Sequence, residues 1–156
     1  MRLDFETLDQ KIADTLGRLG EPALRLSFAV IFVWFGILKP LGHSAAAPLV
    51  EATVTWMPGL TAAQWVSVIG WWEVLIGVTF LFRKTTRIAI GLLFLQMGGT
   101  FLPLVLLPQV TFQPNGIPLL PTLEGQYIIK NLMILSAALV VGGSLYTRTA
   151  EVDPEE

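Results

Sequence analysis

Cysteine is absent from the 156 residues and histidine occurs once, as His43. Without cysteine the chain holds no disulfide, no dithiol exchange centre, no iron–sulfur cluster and no thiolate zinc site. One histidine makes neither a bis-histidine haem nor a histidine cluster. Charge is scarce as well. Asp, Glu, Lys and Arg make up 14% of the chain, against roughly a quarter in soluble domains. The net charge is −2 and the charges sit between apolar runs, so no basic face is available for nucleic acid. No nucleophile–base pair, phosphate loop or metal constellation is visible, which leaves no self-sufficient catalytic centre. The opening MRLDFETLDQK has neither the basic n-region nor the apolar h-region of a signal peptide, so the first membrane span is expected to direct insertion.

Apolar residues are abundant, at 53%, and they fall into four runs. A hydrocarbon core of about 30 Å needs about 20 apolar residues at 1.5 Å each. The spacing predicts an all-α bundle of four transmembrane helices over about 22–42, 62–82, 86–107 and 125–146, which together form one domain, 21–146. Thr61 with Gln64 forms a capping box at the start of the second span, and Leu60 and Trp65 are placed to form a hydrophobic staple. Pro103 cannot donate to Gly99, so a kink is expected in the third span, where Gly98-Gly99 also permits close backbone approach. Before the first span, Phe5, Leu8, Ile12, Leu16 and Leu19 recur at helical spacing, which predicts an amphipathic interfacial helix over 1–20. A short helix is expected over Pro48–Met57, and a polar tail over 147–156.

Lysine and arginine in short loops favour the cytoplasm. Arg83, Lys84 and Arg87 occupy the second connection, Arg2, Lys11 and Arg18 precede the first span, and Arg148 follows the last. Both termini are therefore expected inside, with the first and third connections outside.

Ionisable groups inside a bilayer cost roughly 2.5–3.5 kcal/mol on insertion scales and normally have a partner or border a wet cavity. Glu73 lies about 15 Å above Arg83, near mid-membrane, with Gln96 at similar depth on the third span. Lys39 and Lys130 lie further out, within reach of it. A polar pocket in the outer half of the bundle is expected, with Glu73 paired to Lys39 or Lys130 and bordered by Gln96 and Tyr127. If all three charges meet, the net charge is positive, which favours a small anion or a quinone carbonyl. Arg25 shares a face of the first span with Phe28, Phe32, Phe35 and Lys39. Trp71 and Trp72 flank Glu73, and aromatic faces are one way to sandwich a quinone ring, plain packing being the other. Gly70 and Gly77 favour close helix packing near Glu73. Gly91, Gly98, Gly142 and Gly143 would suit a homo-oligomer contact.

RLSFAVIFVWFGILK, GWWEVLIG and EGQYIIKNLMIL resemble the recurring segments of DoxX-like integral membrane proteins. The similarity is greatest to the branch that includes the YkgB, or reactive-chlorine-resistance C, proteins. The matching positions are Arg25, Gly36 and Lys39, then Glu73 and Gly77, then Lys130 and Asn131, and the similarity extends over about 24–143. Asn131 stands where many relatives have aspartate, and the first outer loop is shorter than in YkgB-type proteins. The resemblance implies a bacterial inner-membrane location and an association with redox stress. Thiosulfate:quinone oxidoreductase is the activity attached to the DoxX name, so a quinone is the cofactor to expect and a membrane redox subunit the partner.

Three functions compete at this stage. One is a redox-linked accessory subunit that binds a quinone or small anion in the pocket, with any enzymatic role belonging to a larger oxidoreductase. Another is a scaffold or chaperone whose buried charges are structural. The last is a small transporter, which with four spans and no repeat would need to oligomerise.

Overall fold

A computed structural model describes residues 2–114 and 120–150, with side chains described over 5–114 and 120–144. It is built from helices α1 (Arg2–Leu38), α2 (Ala47–Thr53), α3 (Ala62–Leu81), α4 (Thr86–Phe101), α5 (Pro103–Leu106), α6 (Pro108–Thr111), α7 (Leu123–Ile129) and α8 (Leu132–Ala150). Among the described residues, β pairing is limited to one isolated bridge, Phe112 to Pro121. Four stretches among the described residues are long and apolar enough to cross a membrane: Phe5–Leu38, Ala62–Leu81, Arg83–Leu106 and Leu123–Ser144. Their outward faces carry exposed Leu26, Val30, Trp34, Leu75, Leu95 and Leu139. An apolar exterior on helices of this length is what lipid selects and water does not, so the chain is a multi-pass membrane protein.

The amphipathic segment and the first span form a single helix. Pro22 lies inside α1 and removes only the bond to the Arg18 carbonyl. Arg18 is exposed, so water can replace that bond and the helix runs on. Residues 5–20 are exposed throughout. At 37 residues, α1 is about 55 Å long at 1.5 Å per residue. It ends at Leu38, earlier than the expected 42, and Lys39 to Gly42 form a turn closed by Gly42 at φ +73°.

The third and fourth spans are both interrupted. Pro103 offers no N–H to Gly99, and the Gly99 carbonyl instead accepts from Leu102 N at 3.2 Å. The α4 helix therefore stops at Phe101 and α5 begins at Pro103, an interruption at the place where the sequence predicts a kink. In the fourth span the helix breaks at Lys130 and Asn131. Asn131 Nδ2 donates to the carbonyls of Tyr127 at 2.9 Å and Ile128 at 3.1 Å, and an asparagine that bonds its own backbone in this way competes with the helical ladder. The start of α3 carries the capping box as expected, with Thr61 and Gln64 exchanging both bonds.

The bundle has two unlike ends. The turn end carries the Arg83–Thr85 connection. There Arg25 donates from Nε to Phe80 O at 3.2 Å and from Nη2 to Leu81 O at 3.0 Å, satisfying carbonyls that the end of α3 leaves open. Buried Glu21 bridges Arg25 at 3.8 Å and Arg83 at 3.4 Å. The apolar core lies towards this end, with Phe28, Phe32, Ile76, Phe80, Leu93, Met97, Ala138 and Val141 packed together. The Phe28 and Phe80 rings are 4.7 Å apart.

The strongest packing is between α1 and α3. It depends on three glycines at which a side chain has no room. A Cβ at Gly70 would lie 2.6 Å from Gly36 O and 2.7 Å from Lys39 Cβ, and one at Gly36 would lie 2.8 Å from Gly70 O. At Gly77 it would lie 2.7 Å from Val33 Cγ2. Small residues let two membrane helices approach to backbone contact, where dispersion replaces the missing hydrophobic drive. By contrast, Gly91 and Gly98 face open space.

Candidate functional site

The other end of the bundle, the loop end, is where the polar side chains converge. On α3 the spacing Gly70, Glu73, Gly77 keeps the carboxylate on the face turned to α1, since residues three and four apart share a helix face. Gly36 on α1 and Lys39, the first residue of the turn that follows it, are likewise three apart. Closing α1 onto α3 through Gly36 and Gly70 therefore brings Lys39 against Glu73. Lys39 Nζ donates to Glu73 Oε2 in a direct ion pair, with side-chain exposures of 7% and 14%. Glu73 Oε1 accepts from Gln96 Nε2 at 3.0 Å, which ties α4 to the same carboxylate. Each carboxylate oxygen thus has a partner, as a charge in a dry environment requires.

Two cavities flank this pair, and both have Lys39 and Glu73 in their walls. The larger, about 660 Å³, lies between α1 and α7–α8; Phe32, Phe35, Leu38, Met97, Ile128 and Ile134 supply much of its apolar wall. Its polar wall is made by Lys39, His43, Ser44, Glu73, Glu124, Tyr127 and Asn131. The smaller, about 370 Å³, lies beneath α2 between α3 and α4–α5, with Gln96, Thr100, Trp56, Met57, Leu95 and Pro103 in its wall. Ala46 and Leu49 border both, so the start of α2 sits across the pair from which the two cavities diverge.

The larger cavity opens sideways. Ile31, Phe35 and Tyr127 line it and yet are 39%, 55% and 63% exposed, so its mouth lies in the flank of the bundle between the first and fourth spans.

The sequence-selected residues separate into groups. Lys39, Glu73 and Gln96 form one hydrogen-bonded unit, and Tyr127 and Asn131 face the same cavity as the first two. Lys130 does not join them. It is exposed, its Nζ stands 5.4 Å from the centroid of the Tyr127 ring, and it lines neither cavity. This settles the choice between the two lysines for Glu73 and removes the expected surplus of positive charge. Arg25 belongs to the turn end with Glu21. Trp72 packs on the apolar core and stays off the cavity wall. Sequence reasoning missed Glu21 as a buried partner, although Glu21 and Arg25 at i and i+4 carried that signal. It also missed His43 and Glu124 on the cavity wall. Glu124 was legible as an acidic residue in the first turn after the Thr122 cap.

Among the described residues no group of three or more His, Asp or Glu side chains is arranged to hold a metal ion. The fold and site define a class, a multi-pass helical membrane protein with a buried ion pair between two cavities. No family model, curated protein or solved structure matches this chain.

Breaking the pair from one side should be costly. Glu73→Leu leaves an unpaired ammonium and is expected to lower stability by about 3–5 kcal/mol, whereas Lys39→Met with Glu73→Leu should recover most of that loss. Thermal unfolding of the four purified proteins of this double-mutant cycle measures it. A double variant no more stable than Glu73→Leu alone would show that the pair is not the unit described.

Proposed function

We propose that this chain is an accessory subunit of a membrane redox system and that it holds a ring of quinone type in the larger cavity. The observation that carries this reading is a cavity of about 660 Å³ with apolar walls and a few converging polar groups, Lys39, Glu73, Tyr127 and Asn131 among them. That volume and lining match ligand pockets, which run from about 300 to 1,000 Å³ and fix orientation with a small number of polar contacts. The sideways mouth supports a ligand dissolved in lipid. A small anion is disfavoured, because the charge of Lys39 is taken up by Glu73 and Lys130 stays outside. The resemblance of the segments around Lys39, Glu73 and Asn131 to DoxX-like proteins supports a quinone-linked partner complex in a bacterial inner membrane. In this reading both termini face the cytoplasm, and the loop end, with α2, faces outwards. The cluster of Arg83, Lys84 and Arg87 supports that orientation.

A scaffold reading is favoured by a different observation, the full internal engagement of Glu73 by Lys39 and Gln96. The two readings diverge on ligand binding. A ring held in the cavity raises the melting temperature of the purified protein, and at 100 times Kd the gain is about 2.7 kcal/mol. Titration with duroquinone and duroquinol should therefore raise Tm in wild type and fail to do so in Ile31→Trp, in which a residue at the exposed mouth is enlarged to fill it. No shift with either compound would leave the scaffold as the surviving reading.

Orientation has its own check, made simple by the absence of native cysteine. Ser44→Cys should react with a membrane-impermeant maleimide on intact cells, and Lys84→Cys only after permeabilisation. The reverse pattern would invert the topology.

A further inference from the structure

The first helix carries an apolar face that no described residue covers. Phe5, Leu8, Ile12, Leu16 and Leu19 are spaced by three and four residues along the first half of α1 and are between 49% and 71% exposed. Eighteen residues make about five turns of an α-helix. Leu8, Ile12 and Leu16 therefore lie in line with the exposed Leu26, Val30 and Trp34 of the first span, while Gln10 and Asp14 lie in line with Phe28 and Phe32, which are buried in the core. The polar side of this segment is thus the side turned to the bundle, and its apolar side points away. Because α1 is one continuous helix, the stripe does not fold back onto its own bundle. Glu21, Arg25 and Arg83 mark the turn end, and residues 5–20 run on past them for about 24 Å.

We infer that this face is an interface between two copies of the chain, a parallel two-fold pair whose α1 helices meet along Phe5, Leu8, Ile12, Leu16 and Leu19. Two copies with the same topology hold α1 parallel and at the same height, so each apolar residue meets its own counterpart, as a closed two-fold contact requires. Spacing by three and four is the seam that two such helices need. The charges fit as well. Around the helix axis from Ile12, Asp9 and Glu6 lie about 60° and 120° to one side, and Lys11 and Arg18 about 100° and 120° to the other. A two-fold axis sets the acidic flank of each copy beside the basic flank of its partner. The area is also sufficient. At about 200 Å² for a fully exposed large side chain, the five residues offer roughly 600 Å² a copy and about 1,200 Å² a pair, which reaches the range of specific interfaces before the span adds Leu26, Val30 and Trp34. A lipid surface is the competing cover. It would require α1 to turn at Pro22, and Glu6, Asp9 and Asp14 outnumber Lys11 and Arg18, the reverse of the charge that draws a helix to anionic headgroups.

The absence of native cysteine makes the test direct. Full-length Ile12→Cys and Leu19→Cys, reconstituted at high lipid dilution in vesicles of phosphatidylcholine and phosphatidylglycerol and oxidised with copper phenanthroline, are expected to form disulfide dimers at least about fivefold more than Gln10→Cys and Asp14→Cys, since a disulfide needs Cα atoms within about 7 Å. Adding Leu8→Asp and Leu16→Asp to Ile12→Cys should cut its yield at least about tenfold, as loss of two buried leucines a copy requires. Both positions are exposed, so the melting temperature of the bundle should be unchanged, which separates loss of pairing from loss of fold. Equal yields on the two faces, a yield that the aspartates leave unchanged, or no dimer at any position would overturn the interface. Absence of dimer with Ile12→Cys shielded from a water-soluble maleimide would assign the face to lipid instead. None of these outcomes bears on the ring-binding reading.

Discussion

The close crossing of α1 and α3 at Gly36, Gly70 and Gly77 is the constraint on which the rest of the structure depends. Backbone meets backbone there, and a methyl group at Gly36 or Gly70 would collide with a carbonyl oxygen that has nowhere to go. In lipid no hydrophobic force pushes helices together, so contact area gained by small residues is the main source of association. The same approach has an electrostatic result. With Gly36 seated against Gly70, Lys39 Cβ is held close to Gly70, three residues from Glu73 on α3, and the carboxylate has its counter-charge within reach. Packing and charge pairing are therefore one event. The pair in turn fixes α4 through Gln96, and three helices are tied at a single carboxylate.

This arrangement divides the bundle into a filled half and an open half. Towards the turn end, Phe28, Phe80, Ile76 and Leu93 are buried in one cluster, and Arg25 closes the end of α3. Towards the loop end the helices separate around the ion pair, helped by the break at Leu102 and by the turn at Lys130 and Asn131. Broken helices at membrane depth are tolerated where their backbone lines a cavity or is satisfied by side chains, and Asn131 supplies that satisfaction itself. The two cavities are a consequence of where the helices are interrupted, and their shared wall is a consequence of the glycine contact.

Much of this was legible in the sequence, and the part that was not has a physical reason. The four spans, the Thr61 capping box and the interruption at Pro103 follow from local rules of length, hydrogen bonding and ring geometry. Depth along the membrane was readable as well, since rise per residue is constant, and it placed Glu73 and Gln96 near one level with Lys39 and Lys130 further out and within reach. Azimuth was not readable for Lys130. Counting residues gives the height of a side chain but not the neighbour it faces, and Lys39 and Lys130 were equivalent by height alone. What separates them is the glycine seam, which is a property of two helices together. The continuity of α1 was hidden because Pro22 beside a charge resembles a helix start, while its actual cost is one exposed hydrogen bond. The break at Asn131 was hidden because a single asparagine in an apolar run is weak local information until its side chain is seen on its own carbonyls.

The central claim is that Lys39 and Glu73 are in direct contact because α1 and α3 touch at their glycines. Solid-state NMR of the chain in lipid bilayers, recoupling the Lys39 ¹⁵Nζ to the Glu73 ¹³Cδ, tests it most directly. The account predicts a through-space coupling characteristic of hydrogen-bonded partners in the wild type, lost or strongly weakened in Gly70→Leu. No coupling in the wild type, or a coupling from Lys130 to Glu73 in its place, would contradict it.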